Sequence, residues 1–241
     1  MRRRRQSGFT LIELLTAIAI LLIVMAAVFQ QINKAQSRFS TENTKLDMTQ
    51  DAREFLDQMT RDIRASGYPK TVMFATPPAL NAITAAAGVV KISPTTLWLE
   101  GDISGDGNVY TVQYTYVASD VNDSTCPCIR RTQALKQAGG LSAQTTGTSY
   151  TEVQYVLDPT TAGQNLFTYY TYDSNNNESL LNFGTNTSFD IENNLSTMKT
   201  LKLVKINVTL RNTKMTIGQG TSMLNPQVSM TATAPVNNQP I

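Results

Sequence analysis

Three groups of residues in this chain have side chains and spacing that could do chemistry. The first is Asp102-Ile103-Ser104-Gly105-Asp106-Gly107-Asn108. Oxygen donors at alternate positions, followed by glycine, match the opening of a calcium-binding loop. The twelfth position of such a loop falls on Gln113, where a bidentate Glu is required. The preferred reading gives Asp102, Ser104, Asp106 and Asn108 no metal. It places them in a hairpin loop in which Gly105 and Gly107 supply positive φ. The second group is Cys126-Pro127-Cys128. Two cysteines so close together on an extended chain hold their Cα atoms near or beyond the limit for a disulfide. A strained ring, an intermolecular bond and two free thiols all stay open for Cys126 and Cys128, and neither is assigned a catalytic role. The third group is Glu13, one carboxylate inside the 21-residue apolar run from Phe9 to Phe29. A carboxylate near the centre of a membrane segment costs several kcal/mol, which marks it as functional by default.

Other chemistry is excluded by composition. The chain has no histidine, which removes Ser-His-Asp and Cys-His catalysis and imidazole ligation. Two cysteines cannot build a disulfide framework or a four-thiolate zinc site. No nucleophile–base pair or metal cluster is visible, so neither an enzyme nor a cofactor is expected. Hydrophobic residues make up 41% of the 241 positions and charged residues 16%, enough apolar surface for a core. The net charge of +2 misleads, because Arg2, Arg3, Arg4 and Arg5 sit together at the start; without them 16 basic residues face 18 acidic ones. No nucleic-acid surface is inferred from such a balance.

The elements that must position these groups fall into two blocks. No Pro or Gly occurs between Phe9 and Ser66, and Gly67 with Pro69 supplies a stop signal. A helix over 9–66 would be roughly 87 Å long. Its first part, 9–29, is long enough to span a bilayer, and the four arginines ahead of it hold the start on the cytoplasmic side. Its second part, 30–66, is amphipathic, with Ile32, Ala35, Phe39, Leu46, Phe55, Leu56, Met59 and Ile63 at mostly helical spacings. From residue 71 the period becomes two. Strands with one buried face are expected around 110–116, 204–210 and 228–232, with shorter ones at 95–99, 128–134, 152–157 and 166–172. The tail Ala234–Ile241 is expected to be loose. The fold class is α+β: one long amino-terminal helix with its outer half packed on an antiparallel β-sheet domain over 67–241.

The segment RRRRQSGFTLIELL resembles, residue for residue, the class III signal of type IV prepilins and pseudopilins. The resemblance implies that residues 1–8 are a leader cut after Gly8, and that Phe9 becomes an N-methylated amino terminus. It also implies that Glu13 faces the Phe9 amine of a neighbouring subunit and so sets register in a filament. A paired charge is tolerable there and a lone one is not. Many major pilins carry a helix-breaking Pro and Gly in the first half of this helix, and this chain has neither. The segment FLDQMTRDIRASGYP resembles the end of the first helix in PilW-like minor pilins and in J-type pseudopilins, and NLFTYYTYD resembles a strand of the same families. Arg61, Asp62 and Arg64 are read either as a solvated helix end or as packing of Arg61 or Arg64 against the β-domain or a neighbour.

The resemblance implies a minor pilin near the tip of a type IV pilus, where it primes assembly. Its partners would be other pilin or pseudopilin subunits, the prepilin peptidase/methyltransferase and the inner-membrane assembly platform. Before assembly the amino terminus would be cytoplasmic and the globular domain periplasmic, with the helix in the bacterial inner membrane. Afterwards the subunit would lie in a surface pilus or a periplasmic pseudopilus. A J-type pseudopilin of type II secretion is the alternative within the class. A membrane-anchored binding or adhesin module is the rival outside it.

Overall fold

The computed structural model describes residues 9–79, 81–121, 123–124, 126–172, 177–212 and 226–236. The leader, with Arg2 to Arg5 and Gly8, lies outside the described residues, as does the tail from 237 onward.

Helix α1 runs from Leu11 to Ala65 without a break. Its 55 residues make it about 82 Å long. No proline or glycine interrupts the run, so nothing removes an i→i−4 bond. Thr10 caps its start and Ser66 its end, after which Gly67 takes φ 79°. The two halves of the helix differ in burial. Every residue from 9 to 36 is exposed, whereas Met48, Ala52, Phe55, Leu56, Met59, Asp62 and Ile63 are buried.

Beyond α1 come β1 (Gly88–Ile92), β2 (Thr96–Gly101), β3 (Tyr110–Val117), β4 (Cys128–Leu135) and β5 (Thr148–Gln154). They are followed by α2 (Pro159–Ala162), β6 (Phe167–Tyr172), β7 (Glu178–Leu180) and β8 (Phe189–Asp190). α3 (Leu195–Thr200), β9 (Leu201–Arg211) and β10 (Gln227–Pro235) follow among the described residues. The α+β, pilin-like architecture is the expected one, with a difference: two antiparallel sheets take the place of one. Six strands pair in the order β5-β4-β3-β2-β1-β8, and four in the order β10-β9-β6-β7. The outer half of α1 lies against both, mostly on β10 and also on β5, β9 and β2. Its apolar face joins Leu97, Leu99, Val112 and Ile129 of the larger sheet and Val204, Ile206, Val208 and Leu210 of the smaller in one core. The Tyr169 hydroxyl joins the sheets as well, donating to the carbonyls of Ser93 (2.8 Å) and Thr96 (3.1 Å).

Three expectations need correction. The strand expected at 152–157 begins earlier, at Thr148, which pairs with Gln133, and stops at Gln154, because Val156 leaves the larger sheet to bridge Leu210 of the smaller. The tail is not loose from Ala234: that residue is fully buried and pairs with Val204, and the Val236 amide donates to the Lys202 carbonyl. β3 does not bury one face only, since Thr111 and Gln113 are buried beside Val112 and Tyr114. The loop after β4 crosses that second face, where Thr111 donates to Gln144 Oε1 at 3.1 Å.

The end of α1 is fixed to β2 by backbone. Gly67 N donates to Glu100 O and Asp102 N to Tyr68 O, both at 2.8 Å, and Ser66 bridges Gly101. A Cβ at Gly101 would come within 2.8 Å of the Ala65 carbonyl oxygen, so only glycine permits this approach.

Candidate functional site

The amino-terminal segment is built by a local device. Thr10 is extended, and its hydroxyl accepts from Glu13 N at 3.3 Å. Glu13 Oε2 accepts in return from Thr10 N (3.1 Å) and Thr10 Oγ1 (3.0 Å), closing a capping box. Glu13 therefore sits in the first turn of α1 and not near the centre of the apolar segment. A carboxylate there also complements the helix dipole. Phe9 is 81% exposed, and the apolar side chains that follow it, through Ile32, have no partner surface within the chain. An apolar face of that size is otherwise found against lipid or another protein.

Residues 3–29 match the family model described as the prokaryotic N-terminal methylation motif. The start of this chain is prepilin-like. No curated protein and no solved structure matches the chain. The methylation motif supports a type IV pilin- or pseudopilin-like protein, with an apolar helix suited to membrane anchoring. Such a motif implies processing by a prepilin peptidase and assembly with other pilins.

The other residues singled out in the sequence do not gather around the methylation motif. In the Asp102–Asn108 loop the carboxylates are turned onto their own backbone. Asp102 accepts from the amides of Asp106 and Gly107, each at 3.0 Å. Asp106 accepts from Asn108 N at 3.0 Å and from the Tyr110 hydroxyl at 2.7 Å, and the tyrosine bond holds its carboxyl below the usual range. Ser104 Oγ accepts from Gln133 Nε2 at 2.8 Å. Gly105 and Gly107 have φ 70° and 85°, as the hairpin reading requires.

Cys126 and Cys128 form a disulfide with Cα atoms 4.3 Å apart. Of the three open states the structure holds the closed ring. The chain bends at Pro127 instead of running extended, and β4 begins only at Cys128. Asp123 lies close enough to complete a three-residue cluster with both sulfurs. Sulfurs joined to each other offer no thiolate, and Asp123 already accepts from Thr151 (3.1 Å) and Arg130 (3.3 Å).

A polar centre that sequence reasoning missed lies under the outer half of α1. Asp62, 2% exposed, accepts from the Tyr114 hydroxyl at 2.6 Å and from Arg131 Nε at 3.0 Å. Arg131 Nη2 stands 2.9 Å from the same oxygen, and Gln58 Nε2 donates to Asp62 Oδ1 at 2.7 Å. Burial pushes the Tyr114 hydroxyl far above its ordinary range, and the Asp62 charge adds to the effect. Arg61 and Arg64 are both exposed, so neither packs on the β-domain; the residue that does is the Asp62 between them. One signal was available: Asp62 stands three residues after Met59 and seven after Phe55, on the apolar face. Arg61 and Arg131 line a groove of about 680 Å³ between α1 and the larger sheet, with Asp51, Glu54, Asp57 and Glu152 on its walls.

A second buried pair, also unforeseen, joins Lys136 Nζ to Glu100 Oε2 at 2.6 Å, with the two side chains 1% and 3% exposed. Lys136 donates further to Ala85 O (2.9 Å), and Ala87 N donates to Glu100 Oε2 (3.2 Å). Burial pushes the Glu100 carboxyl up, against the pull of the adjacent ammonium. Asp62 lies 49 residues along α1 from Glu13, roughly 74 Å of helix. The methylation motif and the buried centres are thus separate sites.

Proposed function

We propose that the chain is a minor pilin, a structural subunit of a type IV pilus without enzymatic activity. In this reading it is cleaved after Gly8, N-methylated at Phe9, and held in the inner membrane with residues 67–241 on the periplasmic side. It then enters the filament near the tip, where it primes assembly. The observation that carries the reading is an apolar half-helix, exposed from residue 9 to 36, behind a methylation motif. Within a filament that surface would be covered by the helices of other subunits. Oε2 of Glu13 serves the capping box, which leaves Oε1 for the Phe9 amine of a neighbour. Mass spectrometry of filament-associated protein tests the proposal. A methylated amine at Phe9 is expected, and replacing Gly8 with leucine should leave an uncut precursor in the membrane. An amino terminus at Met1 in assembled material would overturn it.

The string Arg61-Asp62-Ile63-Arg64 followed by Gly67-Tyr68, which resembles J-type pseudopilins as much as PilW-like minor pilins, keeps a J-type pseudopilin as the second reading. Deletion of the gene separates the two. Loss of surface pili supports the minor pilin, and loss of protein export with intact pili supports the pseudopilin.

A further inference from the structure

A second cavity, about 440 Å³ in volume, is unused by the filament reading. Its walls are Leu141, Ile191, Asn81, Gly139 and Gly140, and two carboxylates, Glu100 and Glu192, line it as well. A few convergent polar groups in a largely apolar concavity of this size are the general form of a small-ligand site. The two carboxylates are held by different means. Glu100 is anchored from behind: the Lys136 ammonium and the Ala87 amide both bond to its Oε2. Glu192 is held at Oε1 by the Leu141 amide, 2.6 Å away. Gly140 is shaped to this arrangement, since a Cβ there would collide with the Glu192 carboxylate.

The charges in this site do not cancel. Lys136 offsets one carboxylate, and no basic side chain lines the cavity among the described residues. The excess is one negative charge, on the exposed Glu192 at the mouth of the cavity, beside Leu141 and Ile191. A carboxylate or phosphate would be repelled there, and a neutral hydrocarbon would gain nothing from the charge at the mouth. An ammonium has three donors for the carboxylate oxygens, and its methylene stem suits Leu141 and Ile191. We propose that this cavity binds a primary ammonium on a short alkyl stem, either a free amine or a lysine side chain of another protein. The proposal stands independently of the pilin reading.

Calorimetric titration of the full-length chain in non-ionic detergent tests it, with butylamine as the probe and 1-butanol as its neutral isostere. Butylamine should bind saturably and at least about tenfold more tightly than 1-butanol. Glu192→Gln keeps the acceptor for Leu141 but removes the charge, and should weaken butylamine roughly tenfold. Gly140→Ala should weaken it as well by displacing Glu192. Both positions lie at the surface rim of the cavity, and circular dichroism of each variant checks that it is folded. Nα-acetyllysine amide separates the two sources of the ligand. Binding as tight as that of butylamine supports a lysine of another protein, and weaker binding supports a free amine. Equal affinity for amine and alcohol would overturn the proposal. So would wild-type affinity in folded Glu192→Gln, or no saturation up to about 50 mM.

Discussion

The inner and outer halves of α1 are one continuous helix, yet they solve opposite problems. From residue 9 to 36 the side chains are exposed and mostly apolar, and the carboxylate of Glu13 is satisfied within its own turn. From Met48 to Ile63 the apolar face is buried, and the carboxylate of Asp62 is satisfied by residues 52 and 69 positions away. The same secondary structure thus leaves one hydrophobic surface for other molecules and spends the other on its own core. Mutations in the outer half should therefore show in folding, and those in the inner half in membrane or filament behaviour.

The largest effect should come from Asp62→Ala. It leaves Arg131 beside Tyr114 with only the more distant Glu152 as counter-charge, and breaking one side of a buried pair costs up to about 3–5 kcal/mol. For a chain of this size that is about 6–20 °C in Tm by thermal unfolding. A loss below about 1 kcal/mol would erase the contrast between the halves. Lys136→Met should cost nearly as much, because it leaves Glu100 buried and unpaired. Here replacing both partners, as Lys136→Met with Glu100→Leu, should recover most of the loss in a denaturant titration. Failure of the double variant to recover would mean that shape, and not charge, holds that site.

A smaller effect is expected for Tyr114→Phe, about 1.5–3 kcal/mol for a lost hydrogen bond to a charged group. Its pH dependence sharpens the test. The folded protein holds the Tyr114 hydroxyl above its unfolded value of 10.0, so its contribution is complete below that pH and is lost as pH rises beyond it. Wild type should therefore lose stability above pH ~10 more steeply than Tyr114→Phe, by up to about 1.4 kcal/mol per pH unit. Parallel alkaline curves would show that Tyr114 ionises freely. Smallest of all on folding is Glu13→Leu, which should shift unfolding by about 0.5 kcal/mol or less. In sheared-filament fractions, by contrast, the same variant should be depleted relative to the membrane pool, with Glu13→Gln intermediate. Equal incorporation of wild type and Glu13→Leu would remove Glu13 from the setting of register.

Much of the helix was legible because local rules decide it: an unbroken run, a cap at Thr10 and a stop at Gly67. The long strands were legible for the same reason, as in β9, where Val204, Ile206, Val208 and Leu210 alternate with less buried residues. β1 escaped because Gly-Val-Val-Lys-Ile does not alternate, and β7 and β8, at three and two residues, are too short to carry a period. Two sheets could not be told from one, since strand partners are chosen by tertiary packing. The buried centres failed for a more specific reason. Asp62 and Arg131 each look like surface charges, and only their meeting across 69 positions makes burial affordable. Gly101 likewise reads as a strand end until the carbonyl of Ala65 is seen beside it.

The fixing of α1 to β2 also decides how the molecule answers tension. A pull along the helix axis passes through Gly67 and Tyr68 into Glu100, Gly101 and Asp102. That point belongs to β2, an inner strand bonded to β1 on one side and β3 on the other. To extract β2, the pull must break two ladders together, whereas a strand at the rim would peel from one. The helix is thus moored to one of the strands of the larger sheet that are hardest to draw out.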